Sequence, residues 1–458
     1  MEPKGQVKPS RFADEDITLF CVVILIIGAF FRLFPVWNTV AYFSPHDMGS
    51  LVGLESAEVG SGHLGYLEYL VKFGKLPDFS PTERWGFYNP PFFYICGAIL
   101  WKFLLWMGVP YVAALETVQF LPYLCVLVAV IGCYKILKAL EISGAPLVVA
   151  VVFLSGHPTL NYLACTLNND GMSLAFGVWA IFFAVKWYQN PGWRRIWPIA
   201  VCIGLGMMTK ISIAVIAPGI AFLFAVRFFR DKRWGNYLGQ FFGFAGICFP
   251  LGLFWPVKNL VQYGLPLNYV QALPENSPQN VEMFSLWERI GWFAPGELVR
   301  TWTSFSPNTE LGHADYNVWV QLFRSSVIDD NILTIPAGFF QGLTVFLLIA
   351  SVVFALGMTV ALVWLVFQKE GDRMIPVWLA LSCAVTLGSY VKFSLDFPVT
   401  CSMHFRYVTV FLLYGLIAGG IWWQKAPRGG IWKGIRIGFG LLTVVFSLGA
   451  SFFYMVCL

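Results

Sequence analysis

Residues 92–107 read FFYICGAILWKFLLWM and follow directly on Pro90-Pro91. Whether this apolar run crosses a membrane sets the sidedness of everything after it. Eleven other apolar runs fall at about 17–36, 113–133, 144–163, 171–188, 195–208, 211–229, 238–256, 336–367, 375–391, 407–424 and 437–457. If 92–107 does not cross and the N-terminus is inside, 18 of the 30 Lys and Arg residues lie on the inner side, in short loops or the tail. Eleven then lie on the outer side, spread over much longer loops, and Arg32 falls inside the first span. If it does cross, the clusters at Lys135, Arg194 and Arg227 move outside, against the positive-inside rule. Lys102 near the centre of the run agrees with the non-spanning reading, because a lysine at mid-bilayer is costly. Residues 88–108 therefore read as a Pro-initiated helix in the outer interface.

The composition leaves little choice of solvent. Of 458 residues, 58% are hydrophobic, 17% aromatic and only 12% charged, with a mean hydropathy of +0.68. A soluble domain is about 25% charged. A soluble enzyme, a disordered chain and a nucleic-acid-binding domain are excluded; lipid is the main solvent. The ten cysteines are scattered without CxxC spacing, so neither a zinc site nor a disulfide framework is indicated. The polar start, residues 1–16, leads into a run without a small-residue cleavage site, which reads as a retained anchor.

The expected fold is all-α: one polytopic transmembrane helical bundle over 1–458 with about eleven spans, N-terminus in and C-terminus out. The first span is 17–36, and 37–112 is a large outer loop carrying interfacial helices. Spans two to seven cover 113–256, a second large outer loop covers 257–335, and spans eight to eleven cover 336–457.

The unusual polar residues gather on the outer pieces. The first loop begins Ser44-Pro45-His46-Asp47-Met48-Gly49 and continues through Glu55, Glu58 and His63. Leu64, Leu67 and Leu70 repeat at helical spacing, an amphipathic pattern closed by Gly74. Asp47 reads either as a solvated loop carboxylate or helix cap, or as a general base held at the membrane surface. His46 and His63 read either as interface residues or as site residues; no HxxxH or HExxH spacing makes them a metal site. Thr166-Leu167-Asn168-Asn169-Asp170-Gly171 reads either as a turn or cap, or as a polar ligand for substrate hydroxyls or a cation. Arg84, Lys102, Lys210, Lys258, Lys392 and Arg406 share the outer side. They could snorkel to lipid phosphates or cradle a phosphate leaving group. Lys210, between a short span and the next, could reach below the surface.

In this order and on one side, the elements resemble the GT-C class of integral-membrane glycosyltransferases. The protein O-mannosyltransferase and lipid A aminoarabinose transferase group is nearest in pattern. His46-Asp47 resembles the acidic element after the first span, with one carboxylate rather than two. Tyr88-Asn89-Pro90-Pro91-Phe92 resembles the proline-pair element, with Asn in place of His. Thr166 to Asp170, Phe405-Arg406-Tyr407, and the Lys258-Asn259 stretch running to Gly264-Leu265-Pro266-Leu267 resemble later elements.

The resemblance implies a GT-C-like fold and inverting transfer of a sugar from a polyprenyl-phosphate-linked donor to an acceptor hydroxyl of a glycan, lipid or protein. The reaction would lie on the outer face of the plasma membrane. It implies Asp47 as the catalytic base, with Glu55 and Glu58 in reserve. Substrate would be bound by His46, His63, Tyr66, Arg84, Asn89, Asn169, Asp170, Lys210, Lys258, His404, Arg406 and Tyr407. The resemblance fixes no cofactor and leaves a divalent metal cation open, which would sit on Asp47 and Asp170. The competing readings are a transporter or flippase of lipid-linked saccharides, which would show charges and broken helices at the midplane, and a non-enzymatic envelope-assembly protein docking through the long loops.

Overall fold

The computed structural model describes residues 14–41, 49–291, 316–328, 335–336, 338–368 and 373–457. His46 and Asp47 lie outside the described residues. The chain is built of helices: α1 (Asp14–Asn38), α2 (Gly62–Phe73), α3 (Phe92–Trp106), α4 (Tyr111–Val118), α5 (Phe120–Ala139), α6 (Ala145–Gly156), α7 (Pro158–Cys165) and α8 (Asp170–Gln189). There follow α9 (Trp193–Thr209), α10 (Ala217–Asp231), α11 (Trp234–Tyr263), α12 (Val318–Val327), α13 (Phe339–Phe367), α14 (Met374–Asp396), α15 (Phe411–Lys425) and α16 (Ile431–Cys457). All ten cysteines are free thiols.

Among the described residues, eight helical segments are long and apolar enough to cross a membrane, and ten if two bent pairs each count as one span. The expected eleventh, at 195–208, is α9. Its 17 residues rise about 25 Å, at the short end for a span. It packs along α8 and α11, both long enough to cross. The run at 92–107 forms α3, whose 15 residues fall short of a span. It packs on α2 and α4 in a hydrophobic core distinct from that of the bundle.

The bundle has two ends. At one, Gln189 Nε2 donates to the Ala139 carbonyl and Gln424 Nε2 to the Glu141 carbonyl. Arg227 and Arg436 also spend their guanidinium groups there, on the carbonyls of Tyr188, Ala426 and Pro427 near helix ends. At the other end α8 begins, α9 ends and the α2–α3 layer sits. Lys135 and Asp170 are therefore at opposite ends, as the base distribution requires.

The amphipathic reading of residues 64–71 is corrected in one respect. Helix α2 does form, and it ends at Gly74, whose φ of 65° favours glycine. It is buried all round rather than on one face, from Gly62 to Val71. Its polar side is covered because Glu68, fully buried, accepts backbone N–H bonds from Val52 (3.1 Å), Gly53 (2.7 Å) and Gly60 (2.9 Å). Lys72 stands 3.4 Å from the same carboxylate. The loop 49–61 is thereby wrapped onto the helix, with Ser50 N donating to Ser61 O.

The first bent span is α6–α7, broken by 42° at His157-Pro158. Pro158 has no N–H, so the carbonyl of Leu154 loses the donor that a continuous helix would supply. Arg32, 1% exposed within α1, donates to that carbonyl. A membrane-buried arginine is thus accounted for by a helix break. Close approach is possible because the contact is lined with small residues. A Cβ on Gly28 would lie 2.6 Å from Ser155 Cβ, and one on Gly156 would lie 2.4 Å from Ser447 Cβ.

Candidate functional site

Both bent spans carry a capping histidine, His157 at the first bend and His404 between the two 3₁₀ turns that precede the second. His157 Nδ1 accepts from Thr159 N (3.2 Å) and His404 Nδ1 from Arg406 N (3.2 Å). Each ring replaces a carbonyl that the helix start cannot offer to its first donors. The second bend, of 44°, falls between Val408 and Phe411, where the 3₁₀ turns Thr400–Met403 and Phe405–Val408 lead into α15. His404 thereby shapes the turn that carries Arg406. Helix α12 holds the same turn: Ser325 Oγ accepts from Phe405 N at 2.8 Å. The end of α12 is itself sealed by hydroxyls from Thr159, Tyr162 and Tyr454, which donate to Ser326, Ser325 and Val327 carbonyls. His157 and these hydroxyls were not singled out from the sequence. Their signal is the His-Pro pair inside an otherwise continuous apolar run.

Asp170 opens α8, with its N–H bonded to Asn168 Oδ1 at 2.9 Å. Lys210 closes α9 in an extended conformation, so its side chain leaves the helix axis and reaches Asp170. Its ammonium is in direct contact with Oδ1. Arg406 Nη1 lies 3.6 Å from the other oxygen, Oδ2. The three side chains are nearly buried, with 6% of Asp170, 16% of Lys210 and 4% of Arg406 exposed. Tyr407 completes the group: its hydroxyl takes Arg406 Nη2 at 3.1 Å, and its ring lies 4.8 Å from the Lys210 ammonium. Beside this polar group a small recess opens between α8, the 3₁₀ turn Ile211–Ile216 and the start of α15. Leu174, Gly177, Ile213, Ile216 and Val410 line it. A few convergent polar groups over an apolar cleft is the composition of a ligand site.

Asn169 and Asn89 join this end of the bundle. Asn169 Nδ2 donates to the Thr209 carbonyl at 2.8 Å, satisfying the last turn of α9, and lies 3.4 Å from Asn89 Oδ1. Asn168, part of the Thr166–Gly171 element but not among the named binding residues, has its Nδ2 buried without a hydrogen-bond partner among the described residues. The remaining candidates are placed elsewhere. His63 Nδ1 bonds the Tyr94 hydroxyl at 2.5 Å, and Tyr66 is stacked between Phe87 and Tyr94. Both belong to the α2–α3 core, and burial pushes the Tyr66 hydroxyl well above its ordinary pKa. Arg84 donates to Val59 O and Lys258 to Pro77 O. These cations pin loops rather than face the Asp170 cluster. Among the described residues no group of three or more His, Cys, Asp or Glu could hold a metal. Asp170, flanked by an ammonium and a guanidinium, does not fit a divalent cation.

The described residues thus form a many-span helical bundle with a helical layer at one end and a buried acidic–basic cluster at that same end. Residues 98–255 match the family model described as dolichyl-phosphate-mannose-protein mannosyltransferase. Among solved structures, the chain is similar to the Archaeoglobus fulgidus oligosaccharyltransferase complexed with Zn and sulfate, at 14% identity and a TM-score of 0.53, covering 96% of this chain and 53% of that one. It is also similar to oligosaccharyltransferase AglB of the same organism, in complex with an inhibitory peptide and a dolichol-phosphate, at 12% identity and a TM-score of 0.50, covering 96% and 55%. ArnT from Cupriavidus metallidurans in the apo state matches at 14% identity with a TM-score of 0.36, covering 95% and 78%. The chain spans about half the length of the two oligosaccharyltransferase chains. No curated protein matches by sequence. The resemblance to GT-C membrane proteins, read from the motifs, is borne out, and with it the all-α membrane fold.

Proposed function

We infer that the protein is a membrane glycosyltransferase that moves a sugar from a polyprenyl-phosphate carrier to an acceptor hydroxyl, with inversion. The observation that carries this reading is the convergence of Lys210 and Arg406 at the polar mouth of an apolar recess. A lipid-linked phosphate needs both halves: cations for the phosphate and an apolar wall for the first carbons of the chain. The neighbour solved with a dolichol-phosphate lends the carrier class support.

In this reading the acceptor oxygen attacks the anomeric carbon on the face opposite the phosphate. Its proton passes to the Asp47 carboxylate, and the bond between the anomeric carbon and the phosphate oxygen breaks. Charge grows on the leaving phosphate as that bond lengthens. Arg406, with its planar donors, and Lys210, as a point charge, offset it in a nearly dry site. The anchorage of the chain on both sides of Asp47 supports its role. Before it, Ala41 N donates to Glu116 Oε2 at 2.9 Å. Gln119 Nε2 bonds both Thr39 Oγ1 and the Cys165 carbonyl, five residues ahead of Asp170. After it, Ser50 is bonded to Ser61 and loop 49–61 is held by Glu68. The excess of bases at the opposite end supports a cytoplasmic N-terminus and a reaction on the outer face of the plasma membrane.

The test is incubation of purified protein with a panel of polyprenyl-phosphate sugars and hydroxyl acceptors, with mass detection of transferred or hydrolysed sugar. Transfer with loss of the sugar from the carrier is the expected result. Intact donor moved across a vesicle bilayer without transfer or hydrolysis would replace the reading with a flippase.

A further inference from the structure

The two cations assigned to the donor phosphate are not waiting with open hands; they are already joined by one carboxylate. Asp170 divides its oxygens between them, Oδ1 to Lys210 and Oδ2 to Arg406. These cations come from positions 196 residues apart, at the end of α9 and in the turn Phe405–Val408. A phosphate would present the same pair of anionic oxygens to the same two groups. We propose that Asp170 is an internal counter-anion that occupies the phosphate position and is exchanged for the donor phosphate on binding. The inference rests on the glycosyl-donor reading above and adds to it a self-paired resting state.

The two halves of the contact are unequal. Lys210 bonds the carboxylate directly. Arg406 Nη1 at 3.6 Å is beyond hydrogen-bond length, while its other terminal nitrogen is held by the Tyr407 hydroxyl. The Arg406 side is the one that opens first. The backbone of Asp170 is fixed by Asn168 and by the first turn of α8. Release is thus a side-chain rotation, and the helix N-terminus keeps the freed carboxylate stable as an anion. Exchange has two uses. The carboxylate offsets the charge of two buried cations beside the cleft while no donor is bound. After transfer, the returning carboxylate competes with the spent carrier phosphate and helps to expel it.

The cost falls on affinity. A donor that binds only the open arrangement has its apparent affinity reduced by the fraction of time the site is open. A minor state populated at about 10% or less implies a loss of roughly tenfold or more. Removing the carboxylate should therefore tighten donor binding, the reverse of what loss of a binding residue does.

The experiment measures binding of geranylgeranyl monophosphate and of inorganic phosphate to the full-length protein in detergent, comparing wild type, Asp170→Asn, Asp170→Glu and Lys210→Met. Asp170→Asn is expected to bind geranylgeranyl monophosphate about tenfold tighter or more. Asp170→Glu should return toward wild-type affinity and Lys210→Met should bind more weakly. A gain with both ligands assigns the exchange to the phosphate anion itself; a gain with the prenyl phosphate alone assigns it to the lipid-linked form. If Asp170→Asn cannot be isolated without ligand, geranylgeranyl monophosphate should rescue it, and failure of that rescue overturns the proposal. Equal or weaker binding by Asp170→Asn, with weaker binding by Lys210→Met, overturns the exchange and leaves the phosphate reading standing. Unchanged binding in both variants overturns the exchange and the phosphate reading together.

Discussion

Replacing Glu68 by glutamine is a one-atom change in a residue outside the Asp170 cluster, and it should loosen the loop that follows Asp47. The carboxylate accepts from the N–H groups of Val52, Gly53 and Gly60 and faces the Lys72 ammonium, with no exposure to water. Glutamine keeps one acceptor oxygen. Its amide group must then point N–H at N–H, toward Gly60 or toward the Val52–Gly53 pair. At least one charge-assisted bond is lost, and such bonds are worth about 1.5–3 kcal/mol each. The Lys72 ion pair also loses its anion. A local cost of about 3 kcal/mol corresponds to roughly a hundredfold. The global fold rests on other contacts, so the effect should appear as local opening. The assay is hydrogen exchange with fragment resolution. Amides of residues 52, 53 and 60 should exchange about a hundredfold faster in Glu68→Gln, while those in α5 and α8 stay unchanged. Transfer activity should fall alongside, because loop 49–61 anchors the chain after Asp47. Unchanged exchange at those three amides would show that the carboxylate does not hold the loop.

Asp47→Asn keeps shape and removes the base, so transfer should drop by roughly two to four orders of magnitude while donor binding survives; near wild-type turnover in a folded variant removes Asp47 from the mechanism. Glu55→Gln and Glu58→Gln should do less, measured in the same transfer assay. Arg406→Lys loses the fork that meets both Asp170 and Tyr407, and donor affinity measured by titration should weaken about tenfold; unchanged affinity in Arg406→Lys and Arg406→Ala would reject the phosphate role. In a cysteine-free background, single cysteines at Ser143 and at Lys75, which is 57% exposed, should label from opposite sides of a sealed vesicle. Labelling of both from one side would overturn the topology.

The long apolar runs were legible because lipid exposure leaves them uninterrupted, and the helix over 62–73 was legible from its leucines and Gly74. The meeting of Asp170, Lys210 and Arg406 was legible only as a shared side: the sequence placed each near one surface, and three-dimensional packing brought side chains 40 and 196 positions apart into contact. Glu68 was hidden because its neighbours have the spacing of a solvated face, and what buries it is a loop with no periodic signal. His63 and Tyr66 drew attention as polar residues in the first loop. Their aromatic rings went into the α2–α3 core, where stacking on Tyr94 and Phe87 uses them fully. The shortness of α9 reduced the count of clear spans, yet that same shortness puts Lys210 low enough to reach Asp170.

The bond between Arg32 and the Leu154 carbonyl also imposes an order on biosynthesis. The arginine enters the membrane with the first helix, but its acceptor lies 122 positions later. At a synthesis rate of about 5–20 residues per second, the first helix waits roughly 6–24 s with its guanidinium unsatisfied by the final partner. During that interval the charge must be sheltered by water, lipid headgroups or the insertion machinery. The first helix therefore settles late, when the kinked pair arrives, rather than serving as a finished post around which the others gather. Nascent chains halted before residue 154 should leave Arg32 reactive toward a guanidine-directed reagent, and chains halted well past residue 165 should protect it.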